Sequence, residues 1–484
     1  MKDYKLIVIN FKGGIISPGD LFYMLTAAQK AGVMTVKFGL RQQLFLELAP
    51  ESFEWMTHKL AQLKINFQTR LDDRPNIVSS YPAEGIFITN TWLSEGVYKD
   101  VFDNFDFHPR LKVNICDSKQ SFTPMLTGNI NWVADPVIPH YWNCLIRFPR
   151  TNKIYESRHL VYTNDLARMT SHIESIIIDQ KPLFYRDGEP VGELLFAQVL
   201  STSYLVKPAN AAFVLPSYNL PYYEGLNRYN NKYWLGIYRR DESFPIDFLI
   251  DTCLLCLEMK IGQLCATPWK SIIIKSIDEK NRMDWNALLN KYQVNVRHAA
   301  NELNFQVEDN CAAGLALKQF LVKSLNEADI RTFGICFGIK TRRKSEVFSS
   351  ILVRRKPWFS IFGLGFFHTY DILCADEFNP NKRTGFVFSK NNPKWVLAEQ
   401  LRRAVVAYYH QLKGMATEKS EHMPKKELLA TPVMVYQCAT CLSVYDRQDT
   451  PFEEVDASYC CPLCESPKDG FKKTDQQALG LLPV

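Results

Sequence analysis

Tyr436-Gln437-Cys438-Ala439-Thr440-Cys441 and, after nineteen further residues, Cys461-Pro462-Leu463-Cys464 set two Cys-x-x-Cys turns in one short C-terminal stretch. Each turn brings two sulfurs to one side of the chain, and two such turns closing on one ion make a tetrahedral four-thiolate site. The segment is about 40 residues long, below the size at which an apolar core alone holds a fold, so ligation is expected to supply much of its folding free energy. Spacing alone leaves zinc and iron both open, because a zinc ribbon uses the same four ligands. Cys460 adjoins Cys461 but is expected to point away from the site.

Working outward, residues 415–431 lose the apolar period and carry Glu418, Lys419, Glu421, Pro424, Lys425, Lys426 and Glu427, which reads as a charged linker. Before it, Asn392-Pro393 opens and Gly414 closes an expected helix with an apolar face of Trp395, Leu397, Leu401, Val405, Tyr408 and Leu412. The rest of the chain repeats one order of elements. A strand at Tyr4 to Ile9 precedes Ser17-Pro18-Gly19-Asp20, whose cap, first-turn proline and acid open a helix; Val33 to Leu46 returns as strand and Glu51 to Lys64 as helix. The same order follows from Tyr233 to Tyr238, a helix opening at Ser243-Phe244-Pro245, a strand through Trp269 to Ile274 and a helix near Asp284-Trp285. Arg41-Gln42 lies 23 residues after Pro18 and Trp269-Lys270 lies 24 after Pro245, so the halves keep step as an internal duplication. The expected divisions are 1–230, 231–414, the linker 415–431 and the cysteine module 432–476.

Among 484 residues, 46 % are hydrophobic and 22 % charged, and the mean hydropathy is -0.17, the proportions of an ordinary globular chain of about three domains. The net charge is +6, but residues 436–475 hold eight acids against four bases, leaving that segment at -4 and the remainder at +10. This asymmetry is too mild for a nucleic-acid binder. No stretch reaches about 18 uncharged apolar residues, the first residues do not form a signal peptide, and scattered cysteines read as reduced thiols, so the expectation is a cytoplasmic protein without a membrane segment. Cys253 and Cys256 sit on an apolar helix and read as core, and His108, His140, His159 and His172 are assigned no role. Phosphate loops, dinucleotide fingerprints and nucleophile elbows are missing.

Val444-Tyr445-Asp446, Tyr459-Cys460-Cys461-Pro462-Leu463-Cys464 and Ser466-Pro467-Lys468-Asp469-Gly470-Phe471 resemble the rubredoxin family across 435–473. That resemblance implies one mononuclear iron, Fe(II)/Fe(III), held by Cys438, Cys441, Cys461 and Cys464. Tyr436, Tyr445, Phe452, Tyr459 and Phe471 can wrap such a centre in apolar surface. Rubredoxins usually carry glycine directly after each Cys-x-x-Cys, where the chain turns with positive φ; here Leu442 and Glu465 stand there, which adds strain.

Gly13 to Leu46 and Gly262 to Ile274, with Arg41-Gln42 and Thr267-Pro268-Trp269-Lys270-Ser271, resemble the ferredoxin-like half-domains of siroheme-dependent nitrite and sulfite reductases. The strands leading to Cys116 and Cys336 fall where those enzymes place the strand before their second cysteine pair. The resemblance implies an α+β fold of duplicated half-domains built from α/β units. Arg41, Lys270, Arg342 and Arg343 become candidate contacts for a tetrapyrrole or oxyanion, beside Lys340, Lys344, Arg354, Arg355 and Lys356. Cys116, Cys311 and Cys336 each stand alone, so a 4Fe-4S cluster is not expected, and siroheme is not expected either. Together the two resemblances imply a one-electron carrier on a non-catalytic scaffold serving nitrite, nitrate or sulfite assimilation, with a donor reductase and an acceptor reductase as partners. Two other functions stay open: a siroheme reductase without its cluster, fed by its own rubredoxin domain, and a zinc-ribbon interaction protein.

Overall fold

The computed structural model describes residues 4–70, 74–151, 153–342, 347–361, 364–422, 434–445, 450–462 and 464–475. The chain divides into two compact units, Met1–Gln411 and Leu412–Val484.

The first unit begins with β1 (Lys5–Asn10), the two-residue strand β2 (Ile15–Ile16), α1 (Pro18–Lys30), β3 (Thr35–Phe38), β4 (Gln43–Leu48) and α2 (Pro50–Gln62). Ser17 caps α1 as its sequence predicts, its hydroxyl accepting from the Asp20 N–H at 3.3 Å. The order returns as β9 (Lys232–Ile237), β10 (Phe244–Pro245), α5 (Ile246–Glu258), β11 (Leu264–Ala266), β12 (Ile272–Ile277) and α6 (Arg282–Lys291). One sheet runs β1-β4-β3 and ends on β10, and its counterpart runs β9-β12-β11 and ends on β2. Each half therefore lends a two-residue strand to the other's sheet: Phe244 pairs with Val36, and Leu264 with Ile16. The buried core spans both halves, with Leu21, Leu25 and Leu44 in one cluster with Phe248, Leu249 and Ile274. Packing joins the two halves in one unit, Met1–Gln411.

A second pair of sheets follows the same rule. β5 (Val78–Ser79), β6 (Val113–Cys116) and β7 (Ile130–Ala134) pair parallel, and β8 (Tyr141–Arg147) joins antiparallel. β13 (Phe305–Val307), β14 (Phe337–Lys340) and β15 (Ile351–Ile361) pair parallel, and β16 (Leu364–Ala375) joins antiparallel. Parallel neighbours need crossovers; α3 (Glu95–Asn104) lies between β5 and β6, and α7 (Ala312–Glu327) between β13 and β14.

The last helix, α8 (Lys394–His422), runs past Gly414 where the sequence predicts a stop. A single interior glycine costs only about 1 kcal/mol, and Met415, Ala416, Glu418 and Lys419 are helix formers that continue the run. The first eight residues of the expected linker are accordingly helical, and its residues 423–431 lie outside the described residues. Leu397, Leu401, Val405 and Tyr408 are buried as expected, but Trp395 is 83 % exposed and Leu412 is also exposed, because the packed stripe of α8 is narrower than its apolar sequence. No helix among the described residues is long and apolar enough to cross a membrane.

Candidate metal centre

In the second unit β17 (Met434–Cys438) pairs antiparallel with β18 (Phe471–Asp475), Cys438 facing Phe471. The two cysteine turns are built alike. Cys438 N donates to Ser443 O at 2.9 Å while its carbonyl accepts from Leu442 N at 3.0 Å; Cys461 N donates to Ser466 O and its carbonyl accepts from Glu465 N, both at 2.8 Å. Leu442 at φ 62° and Glu465 at φ 58° make the left-handed step that closes each turn, so both strained positions are where the sequence predicts them.

All four sulfurs, of Cys438, Cys441, Cys461 and Cys464, lie within 4.8 Å of one another. The Cys438–Cys464 and Cys441–Cys461 separations are 3.6 and 3.5 Å. Metal–sulfur bonds of about 2.3 Å in a tetrahedron require edges of about 3.8 Å, so this donor set fits a four-thiolate ion. Cys438 and Cys461 are buried, and Cys441 and Cys464 are half-buried. N–H groups of Cys441 and Thr440 hold the Cys438 thiol below its ordinary range. Cys464 accepts from Ser466, yet the neighbouring Cys441 and Cys438 sulfurs leave it pushed up to about 11, so without an ion the Cys438–Cys464 pair keeps a proton. Binding a cation displaces that proton.

Phe452 is the hub of the aromatic jacket: Tyr436 stacks on it with centroids 4.3 Å apart, and Phe471 and Tyr445 lie 5.0 and 5.1 Å away. Tyr459 packs on Tyr445 and Phe471. Cys460 is exposed, with its sulfur 3.6 Å from Ser458 O, outside the cluster. Sequence reading passed over Ser443 and Ser466, whose hydroxyls touch the ligand sulfurs; the signal was present, since each pair reads Cys-x-x-Cys-x-Ser.

The body's candidate cations have protein partners. Arg41 is 5 % exposed; its Nη2 donates to Asn76 O at 2.7 Å and Val113 O at 3.0 Å, and its Nη1 reaches Asn114 Oδ1 at 3.4 Å. Burial lowers its pKa, a cost these acceptors offset. Lys270 is 2 % exposed, with Nζ 2.6 Å from Glu242 Oε2 and 3.5 Å from Asp309 Oδ1. Burial works against its charge, but Glu242 and Asp309 outweigh it and raise the pKa. Burial still pushes the Asp309 carboxyl up, so Glu242 is the stronger holder of the ammonium. Arg342 is exposed, donating from Nη1 to Asp309 O at 3.2 Å and from Nη2 to Asn310 O at 3.0 Å. Arg343 and Lys344 lie outside the described residues. Arg354 and Lys356 share Asp371, and Arg355 donates to the His368 ring.

Matching turns relate the halves residue by residue. Gln42 N donates to Gly39 O as Lys270 N donates to Thr267 O, and both donors have positive φ, so Arg41 corresponds to Trp269 and Gln42 to Lys270. Lys112 O accepts from Asn129 and Ile130 as Cys336 O accepts from Ser350 and Ile351. Cys336 therefore matches Lys112, and Cys116 matches Lys340, so the two cysteines do not occupy equivalent points. Cys311 lies against Thr341 Oγ1 at 3.2 Å, and Cys336 against Ser350 Oγ at 3.5 Å. Among the described residues of the body no group of three or more His, Cys, Asp or Glu side chains converges as the four sulfurs do.

Over 83 residues, 14 % of this chain, the sequence is 34 % identical to the high molecular weight rubredoxin of Moorella thermoacetica, and it spans 35 % of that protein's length. The solved structure of Mycobacterium tuberculosis NirA protein matches with a TM-score of 0.63 at 14 % identity, over 83 % of this chain and 80 % of that one, which shows the fold. No family model matches the chain. The body thus has a NirA-like α+β fold, and the C-terminal four-cysteine site fits a rubredoxin-like domain.

Proposed function

We propose that this chain is a cytoplasmic one-electron carrier in which Cys438, Cys441, Cys461 and Cys464 hold a single iron, on a body that acts as a scaffold in nitrite, nitrate or sulfite assimilation. Its partners are then a donor reductase and an acceptor reductase. The observation that carries the reading is the convergence of four sulfurs at tetrahedral spacing in a unit with its own aromatic cluster, beside similarity to a rubredoxin. Iron bound by four thiolates supplies a reversible Fe(II)/Fe(III) couple. The protein's part is to fix that geometry, so that little rearrangement accompanies the change of charge, and to leave Cys441 and Cys464 half-exposed as the route to a partner.

Support for a scaffold role comes from the body: Arg41 and Lys270 face protein carbonyls and carboxylates, and Cys311 and Cys336 face Ser and Thr hydroxyls. The cysteines of the body are thiols rather than disulfides, in keeping with a reducing compartment. Metal analysis with redox titration of protein purified from its native source tests the reading. One iron per chain and a reversible one-electron wave are expected; one zinc per chain with no wave overturns it, and an intense Soret band overturns the scaffold role.

A further inference from the structure

We propose that Ser443 and Ser466 set the reduction potential of the metal centre by donating O–H···S hydrogen bonds to three of its four sulfurs. Ser443 Oγ lies 3.1 Å from Cys441 Sγ and 3.2 Å from Cys461 Sγ. Ser466 Oγ lies 3.1 Å from Cys464 Sγ and 2.9 Å from Thr440 Oγ1. A metal-bound thiolate carries no proton and can only accept, which fixes the direction of the three contacts to sulfur. The Ser443 proton is shared between the sulfurs of two different turns. Ser466 Oγ also donates to Thr440 Oγ1, so its one proton is divided between that oxygen and Cys464 Sγ.

Both serines are held in place by their own backbones, since Ser443 O and Ser466 O accept the N–H of Cys438 and Cys461. The left-handed Leu442 and Glu465 fold each serine side chain back over the sulfurs. The hydroxyls are therefore oriented before any electron arrives and need not reorganise. Adding an electron takes a four-thiolate iron centre from one net negative charge to two. Donors to sulfur stabilise the more negative state, so they raise the potential. Cys438, the fourth ligand, is served by backbone N–H groups instead.

This inference rests on the iron reading, and the test separates the two. The full chain, reconstituted with ferrous iron, is titrated as wild type, Ser443→Ala, Ser466→Ala and the double variant, with iron content measured for each. A lower midpoint potential is expected in each single variant, lower again in the double, with charge-transfer absorption moved to longer wavelength. Ser443→Thr and Ser443→Val, equal in volume, control for packing: threonine keeps the wild-type potential and valine lowers it. A fully loaded double variant with an unchanged potential overturns the role of the serines and leaves the carrier intact. A wild type that takes up iron yet shows no wave overturns both.

Discussion

Replacing Lys270 with methionine separates an internal ion pair from a ligand-binding cation. The substitution keeps the side-chain length but removes the ammonium that sits 2.6 Å from Glu242 and 3.5 Å from Asp309. Breaking a fully buried pair by removing one partner costs about 3–5 kcal/mol, because the other charge stays behind without compensation. Here the Glu242 and Asp309 side chains retain 12 % and 18 % exposure, so water recovers part of the loss. A destabilisation of about 2–3 kcal/mol is expected on that basis. A kcal/mol shifts Tm by about 2–4 °C in domains of 150–250 residues and by less in a longer unit, so Met1–Gln411 should melt about 3–5 °C earlier. Adding Glu242→Gln and Asp309→Asn removes the stranded carboxylates and should restore part of the shift. Scanning calorimetry of the body's transition is the assay. An unchanged Tm in Lys270→Met refutes the argument, because it means the ammonium is not engaged with the protein's own acids and is free for an external anion.

The pH dependence follows from the same pair: the folded pKa of Lys270 is raised, so its stabilisation is fully present below the ordinary lysine value and disappears as pH rises through the higher folded value. The Tm gap between wild type and Lys270→Met should therefore hold from neutral pH to about pH 10 and narrow only beyond it, as melting across alkaline buffers would show. Leu442→Gly and Glu465→Gly should each tighten metal binding in chelator competition. Relief of left-handed strain, about 1–2 kcal/mol, exceeds the added chain entropy of glycine, leaving about 0.5–1 kcal/mol, a factor of about 2–5; Leu442, 65 % exposed, gives up little packing. Cys464→Ser should abolish the visible absorption while the calorimetric transition of the body stays in place, since the two units are separately compact.

The features visible in the sequence are those written in consecutive residues. Two Cys-x-x-Cys turns, the left-handed positions at Leu442 and Glu465, and the Ser17-Pro18 helix start are all local chemistry, and the structure has the turns and the helix start in place. The repeated order of elements was also legible, because the helical period persists over ten residues or more in each helix of the repeat. The exchange of β2 and β10 was not: two residues carry no period, and only the partner sheet, more than 200 residues away in sequence, makes Ile15-Ile16 and Phe244-Pro245 strands. The same distance hid the environment of Arg41 and Lys270. Their partners Asn76, Val113, Glu242 and Asp309 lie 28 to 72 residues off, so the sequence shows a cation without showing what faces it.

Matched turns occur in both units among the described residues, and they differ in chemistry. In the rubredoxin-like domain the pair is symmetric in its chemistry: cysteine, cysteine, a left-handed residue and serine recur in both turns, and the four sulfurs and two serine hydroxyls converge. In the body the equivalent positions have diverged into unlike residues, Arg41 against Trp269, Gln42 against Lys270, Lys112 against Cys336 and Cys116 against Lys340. Unlike residues at equivalent points find different partners. Arg41 turns to carbonyls, Trp269 donates to Phe122 O, Gln42 bonds Ser79 and Ala266, and Lys270 takes two carboxylates. Each of these contacts joins one segment of the body to a distant one and serves as internal fastening. A polar group committed to such a contact cannot leave it for a ligand without exposing a buried unsatisfied partner, at about 1–3 kcal/mol each. The turns whose symmetry survives are the ones whose sulfurs converge on one point.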